Sequence, residues 1–437
     1  MNSENEILNI SEKPFHKIAR LLLLLPSKQQ QHMFTLYTLT SSLHSEAACN
    51  PAEEKFIREI EEVLGEDFDF RGEDFSGYGE TLDNVIYVRT GGTEGVFKSV
   101  FCNDGHLQVP DNKPIRLLTS GKSNSLAASM EILSFLNRNG YPGEIIHGSP
   151  EVIANRLRQG FAAGNKCHVK AYDMGRILEG MKVGVVGKPS DWLISSDVNY
   201  DAAKEKLGVE IIDIDINELV LSAENPDRKY LEGLNLNALN KPKFGHDITE
   251  TDFGKALDIY CALKSMTEKY DLDGVSLRCF DLLTALGSTG CMALAILNSQ
   301  GIVATCEGDV PALLSMCVAM KKYGTPGFQA NLSRIDGDKL LFAHCTVPLN
   351  IVSSYCYDTH FESGIGVAVH GIIPAGPARI LKISPDCTEM FLEEVNIIEN
   401  QYNDNLCRTQ IIVAAPGLAD YFLRSSIGNH HIIIPER

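Results

Sequence analysis

The chain has 437 residues, 44% of them hydrophobic and 22% charged, with 36 Gly and 18 Pro. These proportions exclude a collagen-like fibre, a coiled coil and wholesale disorder, and at roughly 150 residues per domain they predict two to four domains. Acidic residues outnumber basic ones 57 to 39, and the resulting charge of −18 repels phosphate backbones, which excludes nucleic acid as a partner. The same acidity solvates the surface and suits a cation site. Twelve cysteines run from Cys49 to Cys407 with no CxxC pair. Neither structural zinc nor a disulfide framework is predicted; free thiols in a reducing cytoplasm are, and the expected location is cytoplasmic.

In chain order, Leu21 to Leu25 is too short for a signal peptide and follows an acidic start, so it is predicted as a buried strand. No stretch reaches the roughly 18 apolar residues of a membrane span, so no membrane association is expected. Asn50-Pro51 opens a helix whose apolar face is Phe56, Ile57, Ile60, Val63 and Leu64. Strands follow at Val85 to Val88, Ile115 to Thr119 and Ile145-Ile146. Helices run from about Ser123 to Asn139 and from Pro150. Past Met181, strands at 183–186, 209–214, 274–280 and 302–305 alternate with helices at about 253–270, 286–298 and 311–323. Such alternation predicts parallel sheets with helices on both faces. After Gly324 the segments become short and β-rich, at 340–343, 367–369, 378–383, 410–413 and 432–434. The expected architecture is therefore α/β. It has two doubly wound, Rossmann-like units over 1–178 and 179–323, followed by an antiparallel, barrel-like domain over 324–437.

No GxxxxGK[ST] loop exists, and Gly184-Val185-Val186-Gly187 is not a GxGxxG turn, so a nucleotide site is not predicted. Thr90-Gly91-Gly92-Thr93 and Thr119-Ser120-Gly121 sit at strand ends, where parallel sheets bind ligands; each is either a polyol contact or an ordinary turn. Glu307 ends a strongly apolar strand and has no structural reason to be there. Asp309, two residues later, is placed either to cap the helix that Pro311 opens or to act as a second acid. His344 ends another apolar strand, His430 and His431 precede a third, and His360 and Glu362 share a polar segment. Several histidine loci with a carboxylate suit a divalent cation such as Mn²⁺, Fe²⁺ or Zn²⁺. Asp191 and Trp192 follow the turn at Gly187, either as substrate contacts or as a packing turn.

Four motifs recur in order: Cys306-Glu307-Gly308-Asp309-Val310-Pro311-Ala312, Gly327-Phe328-Gln329-Ala330-Asn331, Ala343-His344-Cys345-Thr346-Val347-Pro348 and Gly428-Asn429-His430-His431. With Gly187-Lys188-Pro189-Ser190-Asp191-Trp192-Leu193 and Arg278-Cys279-Phe280-Asp281, they resemble the L-fucose isomerase and L-arabinose isomerase superfamily, in particular its shorter fucose-isomerase-like branch. The resemblance spans about residues 85–437 and implies two α/β domains and a β-rich C-terminal domain. It also implies an aldose–ketose isomerase with a divalent cation, commonly Mn²⁺, and an enediol intermediate. A small sugar is the implied substrate, and a homo-oligomer, trimer or hexamer, the implied assembly. Position by position, Glu307 matches the metal-binding and acid/base glutamate, His344 the middle histidine, and His430 the C-terminal ligand, with His431 as the alternative. Asn331 stands where a second acid is expected. An amide can give a metal its carbonyl oxygen but cannot act as a base. Either Asp309, Asp336 or Glu362 replaces that acid, or the chain is a non-catalytic sugar-binding protein on the same fold.

Overall fold

The computed structural model describes residues 34–42, 44–81, 83–104, 106–109, 113–161, 168–171, 175–239 and 248–436. The strand expected at Leu21 to Leu25 lies outside them. The first sheet has five parallel strands in the order Asp69–Gly72, Thr35–Leu39, Asn84–Val88, Ile115–Thr119 and Gly143–Ile146. Its three central strands are buried at every position, as parallel strands covered on both faces require. Alternate side chains feed two clusters: Leu36, Val85 and Leu118 pack with Ile57 and Ile153, while Ile86, Val88 and Leu117 pack with Phe97 and Leu126.

A second parallel sheet runs Glu210–Ile214, Lys182–Val186, Gly274–Leu277, Val303–Cys306. The third element is a six-stranded antiparallel barrel of Gly376–Ile383, His431–Pro435, Phe328–Asp336, Lys339–His344, Thr409–Ala414 and Glu389–Gln401, whose first and last strands pair. The 13-residue strand Glu389–Gln401 overhangs the barrel, and there Val169–Ala171 pairs with Glu389, Met390 and Phe391 and covers the edge. Among the described residues no helix is long and apolar enough to cross a membrane.

One apolar cluster joins all three sheets, including Leu117, Leu277 and Phe342. The helix Ser125–Arg138 lies at their junction. Its fully buried Glu131 accepts from Ser195 N (2.7 Å) and Ser196 Oγ (3.0 Å) and from Asn429 N (3.2 Å), so one carboxyl ties the first sheet's helix to the other two units.

Several elements differ from expectation. The strand at Gly274 stops at Leu277, and the single helix expected near 286–298 is two helices, Asp281–Leu286 and Cys291–Ser299. Gly287 is left-handed (φ +58°), and at Gly290 a Cβ would lie 2.4 Å from Leu277 Cδ2, so the chain turns there to let helix and strand touch. The strands Thr35–Leu39, Phe328–Asp336 and Glu389–Gln401 have no counterpart among the expected elements. In Phe328–Asp336 the polar Gln329, Asn331 and Ser333 alternate with Phe328, Ala330 and Leu332, and both sets are buried. Its polar face meets the second sheet, where Gln329 Oε1 accepts Cys306 N at 2.8 Å.

Candidate functional site

The buried strand Val303–Cys306 delivers Glu307 into a tight turn. Glu307 (φ +65°) and Gly308 (φ +67°) are both left-handed. That conformation costs a residue with a side chain roughly 1–2 kcal/mol. At Gly308 a Cβ would sit 2.3 Å from the Lys188 carbonyl oxygen and 2.8 Å from Pro189 Cα, so the position requires glycine. Ser190 N donates to Glu307 O (3.0 Å) and Gly308 N to Leu277 O (3.1 Å), which fastens the turn to two neighbouring strand ends. Strain held this way persists only where the surroundings over-determine it.

The Glu307 carboxylate is bracketed on both oxygens. Oε2 accepts from Trp192 Nε1 at 2.7 Å. Oε1 lies 3.4 Å from His430 Nε2 and 3.9 Å from His344 Nε2. The other ring nitrogens are taken: His430 Nδ1 is 2.8 Å from Asp309 Oδ2, and His344 Nδ1 is 2.8 Å from Thr346 Oγ1. Both Nε2 atoms are thereby turned toward Glu307, and the three candidate ligand atoms lie within 4.8 Å of one another. His430 Nε2 and Asn331 Oδ1 are buried with no hydrogen-bond partner. Two unmet polar atoms beside a carboxylate and a second imidazole are what a divalent cation taking nitrogen and oxygen ligands would satisfy.

The electrostatics agree with that fit. Burial alone would raise Glu307, but His430 and then His344, together with the Trp192 hydrogen bond, outweigh it and hold the carboxyl below its usual value. Burial opposes a charge on His430, yet Glu307 and Asp309 overcome it and raise His430 to about 9. Burial, and then repulsion from His430, push His344 down to about 4. Asp309 resists burial through Lys382 and His430 and falls to about 2. A cation held by these residues would take the place of the His430 proton, beside a charged carboxylate and a neutral His344.

The pocket above Glu307 forms where strand ends of both parallel sheets meet the barrel. Gly91 and Glu94 follow Asn84–Val88, Asn124 follows Ile115–Thr119, and Phe280 follows Gly274–Leu277, while Asn331 and Asn429 close it from the barrel. Ligands bind at such carboxyl ends of parallel strands. Trp192 packs edge-on against Phe280 at 5.0 Å, and His360 packs edge-on behind Phe280 at 5.3 Å.

The remaining expected site residues are distributed as follows. Asp309 is fully buried behind His430; its Oδ1 accepts Ala312 N (2.7 Å) and caps the helix Val310–Tyr323, so it lines no part of the pocket. His431 points to the opposite face of its strand, where its Nε2 meets Tyr421 Oη at 2.9 Å. Of the adjacent pair, His430 is the one at Glu307. Glu362 lines the pocket and accepts Asn124 Nδ2 at 2.7 Å. His360 is not in the pocket wall but packs against Phe280, which is. Asp191 is exposed and pairs with Arg278 (2.8 Å), outside the pocket wall. Asp336 is exposed at the hairpin before Lys339–His344. Sequence reasoning missed Glu94, Asn124, Asn429 and His44 as pocket residues. Glu94 directly follows the flagged turn Thr90 to Thr93, and Asn124 the turn Thr119 to Gly121, so strand-end position signalled the loops but not the side chains. Nothing in the sequence signals His44.

No protein-family profile matches the chain. Among curated proteins, it is 23% identical over 290 residues to the sulfoquinovose isomerase of Priestia megaterium, a match covering 63% of this chain and 63% of that protein. The sulfoquinovose isomerase of Alkalicoccus urumqiensis is 19% identical over 227 residues (51% of this chain, 49% of the relative). That of a Clostridium species is 29% identical over 188 residues (39% of this chain, 40% of the relative). The match thus spans under two thirds of the length of these relatives. All are sugar isomerases by name, the class the ordered motifs imply.

Proposed function

We propose that the chain is an aldose–ketose isomerase of the fucose and arabinose isomerase superfamily that holds a divalent cation, Mn²⁺ in the first instance, on Glu307, His344 and His430. The observation that carries this reading is the convergence of those three side chains where the parallel strands end, in a chain whose relatives are named as sugar isomerases. Asn331 would offer the cation its unmet carbonyl oxygen. When bound, the cation supplies Lewis-acid polarisation of adjacent sugar oxygens.

The chain's own groups do the rest. Glu307 is ionised and held by Trp192, so it is a carboxylate ready to take a proton from a sugar carbon. Trp192 and Phe280 present ring surface to the sugar's C–H groups, and the amides of Asn124 and Asn429 face its hydroxyls. A trimer or hexamer belongs to the same proposal, and light scattering of the purified protein checks it.

The test is ketose formation, followed by NMR, from a panel of aldoses that includes L-fucose, L-arabinose and sulfoquinovose with Mn²⁺ added. Turnover that Glu307→Ala abolishes is expected. Sugar-dependent thermal stabilisation with no turnover and no response to Mn²⁺ would favour the sugar-binding alternative, which Asn331 motivates.

A further inference from the structure

Glu94 is a buried carboxyl with one unmet oxygen. It is the first residue of the helix Glu94–Phe101, is 2% exposed and lines the same pocket as Glu307. Its Oε2 is buried without a hydrogen-bond partner. Ala127 and Ala128 of the helix Ser125–Arg138 line the same pocket and offer no polar side-chain group. A carboxyl oxygen left so costs stability, and such groups call for an explanation outside packing. The other pocket acids are engaged: Glu307 with Trp192 and the two histidines, Glu362 with Asn124.

We propose that Glu94 is the proton donor of the isomerisation, giving a proton to the sugar's carbonyl oxygen as Glu307 removes one from the adjacent carbon. This rests on the isomerase reading above. Isomerisation needs two proton carriers, because a proton moves between carbons and another between oxygens. From the aldose, the Glu307 carboxylate takes the proton on C2. The C2–H electron pair becomes the C1=C2 double bond, and the carbonyl pair on O1 takes the proton of Glu94. The products of this half are an enediol, a protonated Glu307 and an ionised Glu94. Glu307 then returns its proton to C1, where the double-bond pair forms the new C–H bond. The O2–H pair forms the C2=O bond as Glu94 recovers that proton. Both carboxyls end as they began, with no oxidant or reductant consumed.

Glu94 is suited to start protonated. Burial holds its carboxyl well above the usual carboxylate range, and Glu131, Glu307 and Glu362 add to the shift. Both carboxyls line one pocket, but Glu307 is tied to Trp192 while the Glu94 Oε2 is buried and unmet, and such a difference in surroundings is the pattern of an acid and a base.

The experiment compares wild type with Glu94→Gln and with Glu94→Met, a nonpolar residue of similar size, on the best sugar of the panel with Mn²⁺. Expected are a kcat reduced about 100-fold or more in each variant, KM within about fivefold, an unchanged thermal response to Mn²⁺, and a Tm no lower than wild type. A fall of less than about tenfold in a folded variant overturns the proposal. So does a lost Mn²⁺ response, or failure of both variants to fold, since either makes the carboxyl structural. Wild type without turnover on any sugar overturns the isomerase reading and this proposal together, whereas active wild type with active variants overturns this proposal alone.

Discussion

Replacing Gly308 by alanine tests whether the turn that aims Glu307 is held as tightly as its geometry indicates. Gly324→Ala is the matched control. Both glycines are left-handed, at φ +67° and +72°, so both variants bear the same backbone strain, roughly 1 kcal/mol. At Gly324 an added Cβ would meet no atom within 4 Å, whereas at Gly308 the Lys188 carbonyl oxygen would be 2.3 Å away. Relief requires the two backbones to part by about 1 Å, because ordinary contact begins near 3.4 Å. That separation loosens the hydrogen bonds from Ser190 N to Glu307 O and from Gly308 N to Leu277 O, each worth about 1 kcal/mol. Residual overpacking adds about 1–3 kcal/mol. Gly308→Ala should therefore cost about 4–6 kcal/mol and Gly324→Ala about 1 kcal/mol. Guanidinium unfolding followed by fluorescence measures both, and the only tryptophan, Trp192, sits against Glu307 and reports on this turn. Equal losses in the two variants, within about 1 kcal/mol, would refute the tight-turn argument.

Three further outcomes follow from the same geometry. Trp192→Phe keeps a ring against Phe280 but removes the 2.7 Å donor to Glu307; Mn²⁺ binding by calorimetry should weaken about tenfold, as a charge-assisted hydrogen bond of about 1.5–3 kcal/mol allows, and an unchanged Kd would show that the indole does not orient the carboxylate. Asn331→Asp places a second carboxylate beside the first; Mn²⁺ affinity should rise about tenfold or more while the metal-free Tm falls through like-charge burial, and a Tm that rises without metal contradicts the placement. His147 joins the first sheet to the barrel, with Nδ1 3.1 Å from Thr119 O and Nε2 accepting Ile335 N at 3.1 Å. Burial holds it at about 4, against 6.5 when unfolded. The unfolded chain therefore binds this proton first as pH falls, so stability is complete above about pH 6.5 and is lost down to about pH 4, by roughly 3 kcal/mol in all. Denaturation midpoints measured across that range should fall for wild type and fall less for His147→Gln; parallel curves would exclude His147 as the cause.

Much of this protein is written in local pattern. The strands at 85–88, 115–119 and 183–186, the cap and glycine stop of the helix Val310–Tyr323, and the β-rich character after Gly324 follow from apolar periodicity and turn chemistry between near neighbours. Glu307 is legible for the same reason, as an acid at the end of an apolar strand. Phe328–Asp336 is not, because its buried face is polar: Gln329 is covered by the second sheet and Asn331 lies in the pocket, and neither neighbour is near in sequence. Asp309 reads alike as cap and as acid until His430, 121 positions away, occupies its second oxygen. His430 and His431 differ in nothing local; only the pleat of their strand sends one to Glu307 and the other to Tyr421. Glu94 looks like an ordinary acidic first turn until the fold buries it in the pocket wall and leaves one oxygen unmet. Sequence alone determined the elements and the kinds of residue available for chemistry, because those depend on spacing along the chain. Tertiary structure decided which of them meet, because burial, partner and charge are set by residues brought together across sheets.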